Sequence, residues 1–534
     1  MNMLRRCFRQ AAMLAPVLLG MFVLLAQTDV SAQSSKRVTL KSFDGFTQLK
    51  GDLLEFDGET FTIQTTLGVI KVDALQVECE GPGCPQDPMF GGNFAIRGSN
   101  TIGSALMPAL IQGYADSLDA ELLREITAVE NRSTFRIIHP NGNEMAAIDL
   151  AAGGGDTAFA ALASGEAALA MSSSRITAHD ARKLRAAGQK DPRGTPAEQI
   201  LALDGLIAIV HPANPLASIS ADDLARVFSG NITNWKQLGG PDRPISVLAR
   251  DKASGTMSTF NALVLKPKGL RLTSSAQRVA DNAQLSDLVA GNPDAIGFVP
   301  LAYARAAKPL AIRLSCGILA RPSTFAVKTE EYPLSRRLYL YLSTANETVH
   351  ARNLAAFALS DAAQPIIEEQ GFVSRALETR TLDQLGGRVI QTLLAPQPVR
   401  LPLLQEMLGE LRDATRLSLA FRFDLGSSRL DPKSESEAHA LATMLSTGAF
   451  DGKEVMLIGF TDSVGEVQRN LSLSKKRAEE VLDAMRASVA EGALENSNIS
   501  VRGYGELTPV RCNDTLAGQQ ANRRVEVWVR DLPG

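Results

Sequence analysis

Between residues 36 and 78 apolar and polar positions alternate in short runs. Val38-Thr39-Leu40, Leu53-Leu54-Glu55-Phe56, Phe61-Thr62-Ile63 and Val69-Ile70-Lys71-Val72 are β-prone, with turns at Asp44-Gly45 and Asp57-Gly58 between them. The pattern predicts a β-meander that curls into a barrel-like sheet. It carries no chemistry, so docking or spacing is its expected role. Pro82 to Gly92 reads as a linker. From Phe94 to Arg375 the period changes. Short apolar strands (Leu206–Val210, Ile245–Leu248, Ala295–Phe298) alternate with amphipathic helices such as Ala221–Phe228. That alternation predicts an α/β domain with a parallel sheet, large enough for two lobes. Residues 376–415 read as a helical, proline-containing connector. The last segment opens with Leu417, Leu419, Phe421 and Phe423 in alternation and closes with Val525, Val527 and Val529. Helical stretches at Ser434–Leu445 and Ser472–Met485 lie between them, which makes this segment α+β.

At 534 residues the chain exceeds what one core supports. The expected division is a signal peptide at 1–32, a small β-barrel-like module at 33–90, a two-lobed α/β domain at 91–375, a linker at 376–415 and an α+β domain at 416–534. Hydrophobic residues make up 45% and charged residues 21%, an ordinary balance for folded protein. A net charge of −3 gives no basis for nucleic-acid binding. Arg5, Arg6 and Arg9, the apolar run Ala11 to Ala26 and the small-residue site Val30-Ser31-Ala32 form a secretory signal. Cys7 precedes the apolar run, so it is not placed as a lipoprotein cysteine. The mature chain is expected to be exported and soluble. Export permits disulfides. Cys79 and Cys84 flank Glu-Gly-Pro-Gly, so a local disulfide is expected, contributing ~2 kcal/mol. No histidine or second cysteine pair sits near them to make a metal site. The sequence assigns no partner to Cys316 or Cys512.

Three loops of the α/β segment are rich in glycine and hydroxyls and precede helical runs. They are Gly98-Ser99-Asn100-Thr101, Met171-Ser172-Ser173-Ser174 and Ala253-Ser254-Gly255-Thr256. N–H groups at a helix start attract oxyanions, and Arg250 adds a fork suited to a tetrahedral one. One such loop alone would be simple helix capping; three together with Arg250 favour an anion site. The run Arg250-Asp-Lys-Ala-Ser254-Gly255-Thr256 resembles the anion-binding loop of the phosphate-binding proteins of phosphate ABC transporters. Gly98–Thr101, GEAALAMSSSRIT and DAIGFVP are similar to the same family in the same order, over roughly residues 94–375. The resemblance implies a periplasmic-binding-protein fold with the anion between its lobes. It implies Thr101, Ile102 (through its backbone N–H), Ser173, Arg250, Ser254, Gly255 and Thr256 as ligands. Ser173 aligns where the family carries an aspartate that accepts the proton of hydrogen phosphate. Gly153-Gly154-Gly155-Asp156-Thr157 replaces the family's serine-bearing loop. Asp156 is the candidate substitute acceptor; capping of the next helix is the alternative.

In the C-terminal segment, Asp462 follows the apolar strand Val455–Phe460, and Arg477 comes 15 residues later on the next helix. One anion and one cation at that spacing suit a ligand with both an amine and a carboxylate, as in peptidoglycan stem peptides. Alone they would be a turn Asp and a surface Arg. The surrounding order is Phe423-Asp424, Gly459-Phe-Thr-Asp462-Ser-Val-Gly465, Asn470-Leu-Ser-Leu-Ser-Lys-Lys-Arg477, Gly503-Tyr-Gly505-Glu506 and Asn522-Arg523-Arg524. It is similar to the OmpA-like peptidoglycan-binding domain over about 416–531. The resemblance implies that Asp462 holds the ammonium of diaminopimelate and Arg477 its carboxylate. Asn470 and Arg523 would support them, and Thr461 and Phe460 would shape the groove.

The five histidines (His139, His179, His211, His350, His439) are scattered. There is no H-E-x-x-H, no G-x-S-x-G elbow and no P-loop lysine. Neither catalysis, a metal nor a cofactor is expected. The expected function is capture of phosphate or a similar oxyanion by an exported protein tethered to peptidoglycan. The expected location is the periplasm, on the wall, at the outer membrane. The family's partner would be an ABC transporter permease, although a wall anchor gives a diffusible transport component no advantage. The alternatives are a structural wall linker whose binding fold has lost its ligand, and an enzyme acting on phosphorylated substrates.

Overall fold

The computed structural model describes residues 36–42, 48–56, 60–73, 77–81, 83–84, 92–126, 131–252, 254–346, 348–394, 400–423 and 429–532. The expected signal peptide, the Asp44-Gly45 and Asp57-Gly58 turns and most of the Pro82–Gly92 linker lie outside them. Among the described residues no helix is long and apolar enough to cross a membrane.

The chain divides into two compact units, 1–87 and 88–534. The first is an antiparallel five-stranded sheet. Its spatial order is Gly68–Asp73, Thr60–Thr65, Gln48–Phe56, Arg37–Ser42, Val77–Glu80. Val38 and Leu40 on one strand and Phe61 and Ile63 on another are buried, the every-second-residue spacing that puts side chains on one face. A Cys79–Cys84 disulfide closes the last turn.

The second unit is built on one long sheet that runs through two lobes. Its main path is Gln277–Val279, Ser246–Arg250, Ala295–Pro300, Glu198–Val210, Ser335–Leu342, Leu169–Ser172, Phe94–Gly98, Glu144–Ala151, Arg132–Ile138, Glu121–Ile126. The sheet is mixed rather than parallel. The chain crosses between lobes along Glu198–Val210 and returns along Ser335–Leu342, so these two strands pair antiparallel. The first crossing strand is an apolar run buried almost throughout, as a strand covered on both faces must be. Its Leu201 and Ala202 enter the core of lobe one, with Ile96, Leu110 and Leu340. Its Leu206 to Val210 enter the core of lobe two, with Phe228, Phe260 and Phe298.

The C-terminal domain is a five-stranded sheet in the order Thr379–Thr381, Thr415–Arg422, Arg524–Asp531, Lys453–Phe460, Asn498–Gly503. Alternation along Lys453–Phe460 divides its side chains between two cores. Val455 and Leu457 pack under the helices Pro432–Ser446 and Val467–Ala487. Met456, Ile458 and Phe460 meet Leu404, Met407 and Leu411 of helix Leu401–Leu411 on the other face. The stretch 376–415 therefore contributes a strand and covering helices to this domain. Without Leu401–Leu411 that second apolar face would meet water. Cys316 and Cys512, unassigned from sequence, form a disulfide between lobe two and the C-terminal domain.

Candidate functional site

Three glycine- and hydroxyl-rich loops meet at the contact of the two lobes. Gly98 ends a lobe-one strand at φ 132°, and a Cβ there would lie 2.1 Å from Met171 O, so only glycine allows the first two loops to touch. The Ser99 and Ser173 hydroxyls hydrogen-bond each other across that contact. The third loop arrives from lobe two: a Cβ on Gly255 would lie 2.4 Å from Thr101 Cα, and Thr101 Oγ1 donates to Gly255 O at 3.4 Å. Helices Asn100–Gly103 and Gly255–Phe260 thus start side by side. Their first-turn N–H groups, Ile102 and Thr256 among them, have no carbonyl four residues back in the helix. Ser254 occupies a cap position but its side chain makes no capping bond. The Gly153–Gly155 loop joins the cluster through Gly154 N–H, which donates to Gly98 O at 2.9 Å. Asp156 begins the helix Gly155–Ala163, and its side chain lies outside the described residues.

Arg250 is placed differently from the other candidates. Its Nε donates to Val279 O at 3.3 Å, its Nη2 to Ala280 O at 2.8 Å and its Nη1 to Asn282 Oδ1. Three of its five N–H groups are therefore engaged by the 279–282 turn. Burial lowers its pKa, and Asp281 and Asp251 partly offset that. The guanidinium that does reach the loops is Arg336, on the returning inter-lobe strand. Its Nη2 donates to Thr101 Oγ1 at 2.8 Å and to Thr259 Oγ1, while its Nε faces Asp204 Oδ2 at 3.3 Å. Asp204 also accepts from Thr259 Oγ1 at 2.9 Å. The side chains of Arg336 and Asp204 are only 10% and 3% exposed, so the pair lies in the floor of the site. Burial lowers the Arg336 pKa against the pull of Asp204. Sequence reading passed over both. The available signal was Asp204 itself, a lone carboxylate inside the apolar run ILALDGLIAIV, which demands a buried partner.

The C-terminal site sits where Lys453–Phe460 ends against the long helix. Gly459 and Gly503 admit that helix: a Cβ at Gly459 would lie 1.8 Å from Ser474 O, and one at Gly503 2.4 Å from Lys475 N. Asp462 is nearly buried. Its Oδ1 accepts from Val464 N–H at 2.9 Å and its Oδ2 from Arg523 Nη1 at 2.7 Å. Asn470 Nδ2 lies 3.4 Å from both Asp462 O and Glu506 Oε2. The Arg477 guanidinium stands over the Phe423 ring, 5.6 Å from its centroid. Among the described residues its buried Nη1 meets no hydrogen-bond partner, and neither does Thr461 Oγ1. Burial and repulsion by Arg523 lower its pKa, against attraction by Asp462 and Glu480. Two guanidiniums and a carboxylate share this groove, and one of the guanidiniums has a donor left unmet.

The fold and these sites define a two-lobed binding-protein domain followed by an OmpA-type domain. Residues 112–362 match the PBP superfamily domain and residues 422–523 match the OmpA family. The chain belongs to the OmpA family through its C-terminal domain, fused here to the domain that matches the PBP superfamily model. The chain is similar to the phosphate-binding protein PstS of Borreliella burgdorferi, 31% identical over 186 residues. That match covers 33% of this chain and 65% of the relative, just under two thirds of its length. The C-terminal part is similar to the outer-membrane lipoprotein YfiB of Pseudomonas aeruginosa, 37% identical over 133 residues, covering 24% of this chain and 76% of the relative. An ABC-type phosphate transport receptor from Vibrio cholerae is similar at 24% identity and a TM-score of 0.39, covering 52% of this chain and 99% of that one.

Proposed function

We propose that the protein is an exported binder that captures phosphate or a similar oxyanion between its lobes and is held non-covalently on peptidoglycan by its OmpA-family domain. The observation that carries this reading is the convergence of Ser99–Thr101, Ser172–Ser174 and Ser254–Thr256 on one point from two lobes. Helix-start N–H groups and hydroxyls aimed together suit an anion and offer no nucleophile with a base beside it. Thr101, Ile102, Ser173, Ser254, Gly255 and Thr256 are the proposed donors, with Arg336 as the cation below them. Arg250 joins through the second N–H of each Nη, which the 279–282 turn leaves over. Asp156 remains the proposed acceptor of a phosphate proton. In the C-terminal groove the unmet Arg477 donor supports capture of a carboxylate. Asp462 would receive the diaminopimelate ammonium in exchange for part of its bond to Arg523. Relatives named as phosphate-binding and outer-membrane proteins support an envelope location.

A second reading, a wall linker whose binding fold has lost its ligand, is favoured by the three bonds that tie Arg250 to the 279–282 turn. Isothermal titration with phosphate and sulfate separates the two: heat of binding to either anion supports capture, and none to both supports the linker. Asp156→Ala with unchanged phosphate-over-sulfate preference would remove that residue from the account. For the tether, Asp462→Ala and Arg477→Ala should each abolish co-sedimentation with isolated murein, since each charge-assisted bond contributes ~1.5–3 kcal/mol. Co-sedimentation retained by both variants would end the tether reading.

A further inference from the structure

The OmpA-family domain holds the two lobes by contacts of different kinds. Its grip on lobe two is covalent and buried. The Cys316–Cys512 disulfide is flanked by Arg511 Nη2, which donates to Tyr332 O at 2.8 Å, and by Arg422 Nη2, which donates to Thr329 O at 2.7 Å. Beneath these, Glu331 of lobe two accepts from Arg416 at 2.6 Å and faces Arg388 at 3.8 Å, and Glu526 backs both arginines from within the OmpA-family domain. Arg416 and Glu526 are 0% and 1% exposed. Pulling such partners apart would strand each charge where it is poorly solvated.

The grip on lobe one is polar and partly exposed. Arg375 Nη2 donates to Ser436 Oγ at 2.8 Å in an exposed contact, and the Arg429 guanidinium lies beside Gly194. Cavities occur on both sides: one of about 450 Å³ lined by Thr195, Glu198, Lys433 and His439 here, and one of about 560 Å³ lined by Arg313, Ser315, Arg511 and Asp514 beside the disulfide, so the difference between the grips lies in the bonds and not in the space. Among the described residues no disulfide crosses this surface, so it can open without breaking a covalent bond; the lobe-two surface cannot.

The pivot lies between these grips, on the strand Ser335–Leu342. Successive side chains of a strand point to opposite faces. Arg336 points to the anion loops, meeting Thr101 and Thr259. Arg337 points to the OmpA-family domain, where Asp431 Oδ2 accepts from it at 2.7 Å and Glu330 clamps it from the other side. Glu330 itself sits at φ 57°, a left-handed conformation that a glutamate adopts only when its surroundings hold it.

We propose that lobe two and the OmpA-family domain move as one rigid body, that lobe one is the moving jaw, and that Asp431 braces the pivot by holding Arg337. The wall is then attached to one jaw only. Neighbouring residues of one strand serve the anion site and the brace, so the two are linked. Only the ligand-driven arm of the test rests on the anion reading proposed above.

The test uses the full oxidised chain with spin labels on non-canonical residues replacing Lys183 in lobe one, Lys236 in lobe two and Asp483 in the OmpA-family domain, all exposed positions. Pulsed dipolar spectroscopy reads the three pairwise distance distributions, with inorganic phosphate as the ligand probe. Without phosphate, the pair from lobe two to the OmpA-family domain should be narrow and both pairs involving lobe one broader. Asp431→Asn keeps a good helix cap while removing the charge. It should broaden the two lobe-one pairs further and leave the third unchanged. Phosphate should shift and narrow the lobe-one pairs alone. Equal widths in the ligand-free chain, an unaltered hinge in Asp431→Asn, or a phosphate-driven shift between lobe two and the OmpA-family domain would each overturn the proposal. If phosphate moves no pair, the anion reading fails, and the ligand-free widths still decide the brace.

Discussion

A single methyl group at Gly255 should disable the anion site while leaving the fold intact. Built on the backbone, that Cβ lies 2.4 Å from Thr101 Cα, 3.0 Å from Thr101 N and 3.1 Å from Thr101 Cβ. Favourable carbon contacts lie near ~3.5–4 Å, so the two loops must part by about 1 Å. Neither side ends in a flexible tip that could swing away, because the opposing atoms belong to a helix start. In a closed core, overpacking of this kind costs ~1–3 kcal/mol. Here Thr101 belongs to lobe one and Gly255 to lobe two, so the lobes can relieve the clash by staying apart. The cost then falls on closure, not on folding. An anion that needs donors from both lobes loses those of one. Two charge-assisted bonds at ~1.5–3 kcal/mol each amount to about 3–6 kcal/mol, or an affinity about a hundred- to ten-thousand-fold weaker. Isothermal titration of Gly255→Ala with inorganic phosphate reads the loss, and thermal unfolding without phosphate checks that the variant folds. A folded variant with unchanged affinity would refute the placement of the anion between these loops.

Three further outcomes follow from the junction. Glu331→Ala leaves the fully buried Arg416 without its 2.6 Å partner and should lower unfolding stability by ~3–5 kcal/mol in urea titrations; an unchanged midpoint would show that the network is energetically idle. The Cys316–Cys512 bond ties residues 196 apart in sequence, a constraint worth about 5 kcal/mol by chain entropy, so the Cys316→Ser/Cys512→Ser double variant should unfold at lower urea, and equal midpoints would contradict this. Burial would raise the carboxyls of Glu331, Asp431 and Glu526, but arginines hold all three below the ordinary carboxylate range. The unfolded state therefore binds more protons in acid. The stability these groups supply is fully present above the unfolded pKa of ~4 and is lost as pH falls through the folded values. Urea midpoints at neutral pH and at about pH 3.5 should show the loss, with a shallower slope in Asp431→Asn.

Some of this was legible from the chain alone. Alternation at Leu417–Phe423 and Val525–Val529 marked strands of the C-terminal sheet, because side-chain direction in a strand depends only on the residue's place in the run. Two of the three hydroxyl-rich loops, at Ser99 and Ser254, were visible as helix starts for the same local reason, whereas the helix after Ser172–Ser174 begins only at Ala178 under a Thr177 cap. Other features depended on which distant segments meet. Arg250 looked like the anion's fork from its spacing to Ser254, yet a long side chain takes whatever acceptors fold up beside it, here the 279–282 turn. Arg336 acquired its place only because the strand Ser335–Leu342 returns beside Glu198–Val210. That antiparallel return is also why the sheet is mixed. The pairing of Cys316 with Cys512, the folding of 376–415 onto the C-terminal sheet and the buried charges around Glu331 share this origin. Periodicity and turn chemistry act over a few residues and are written in the sequence; the partners of a thiol, a guanidinium or an exposed apolar face are settled only when the chain closes on itself.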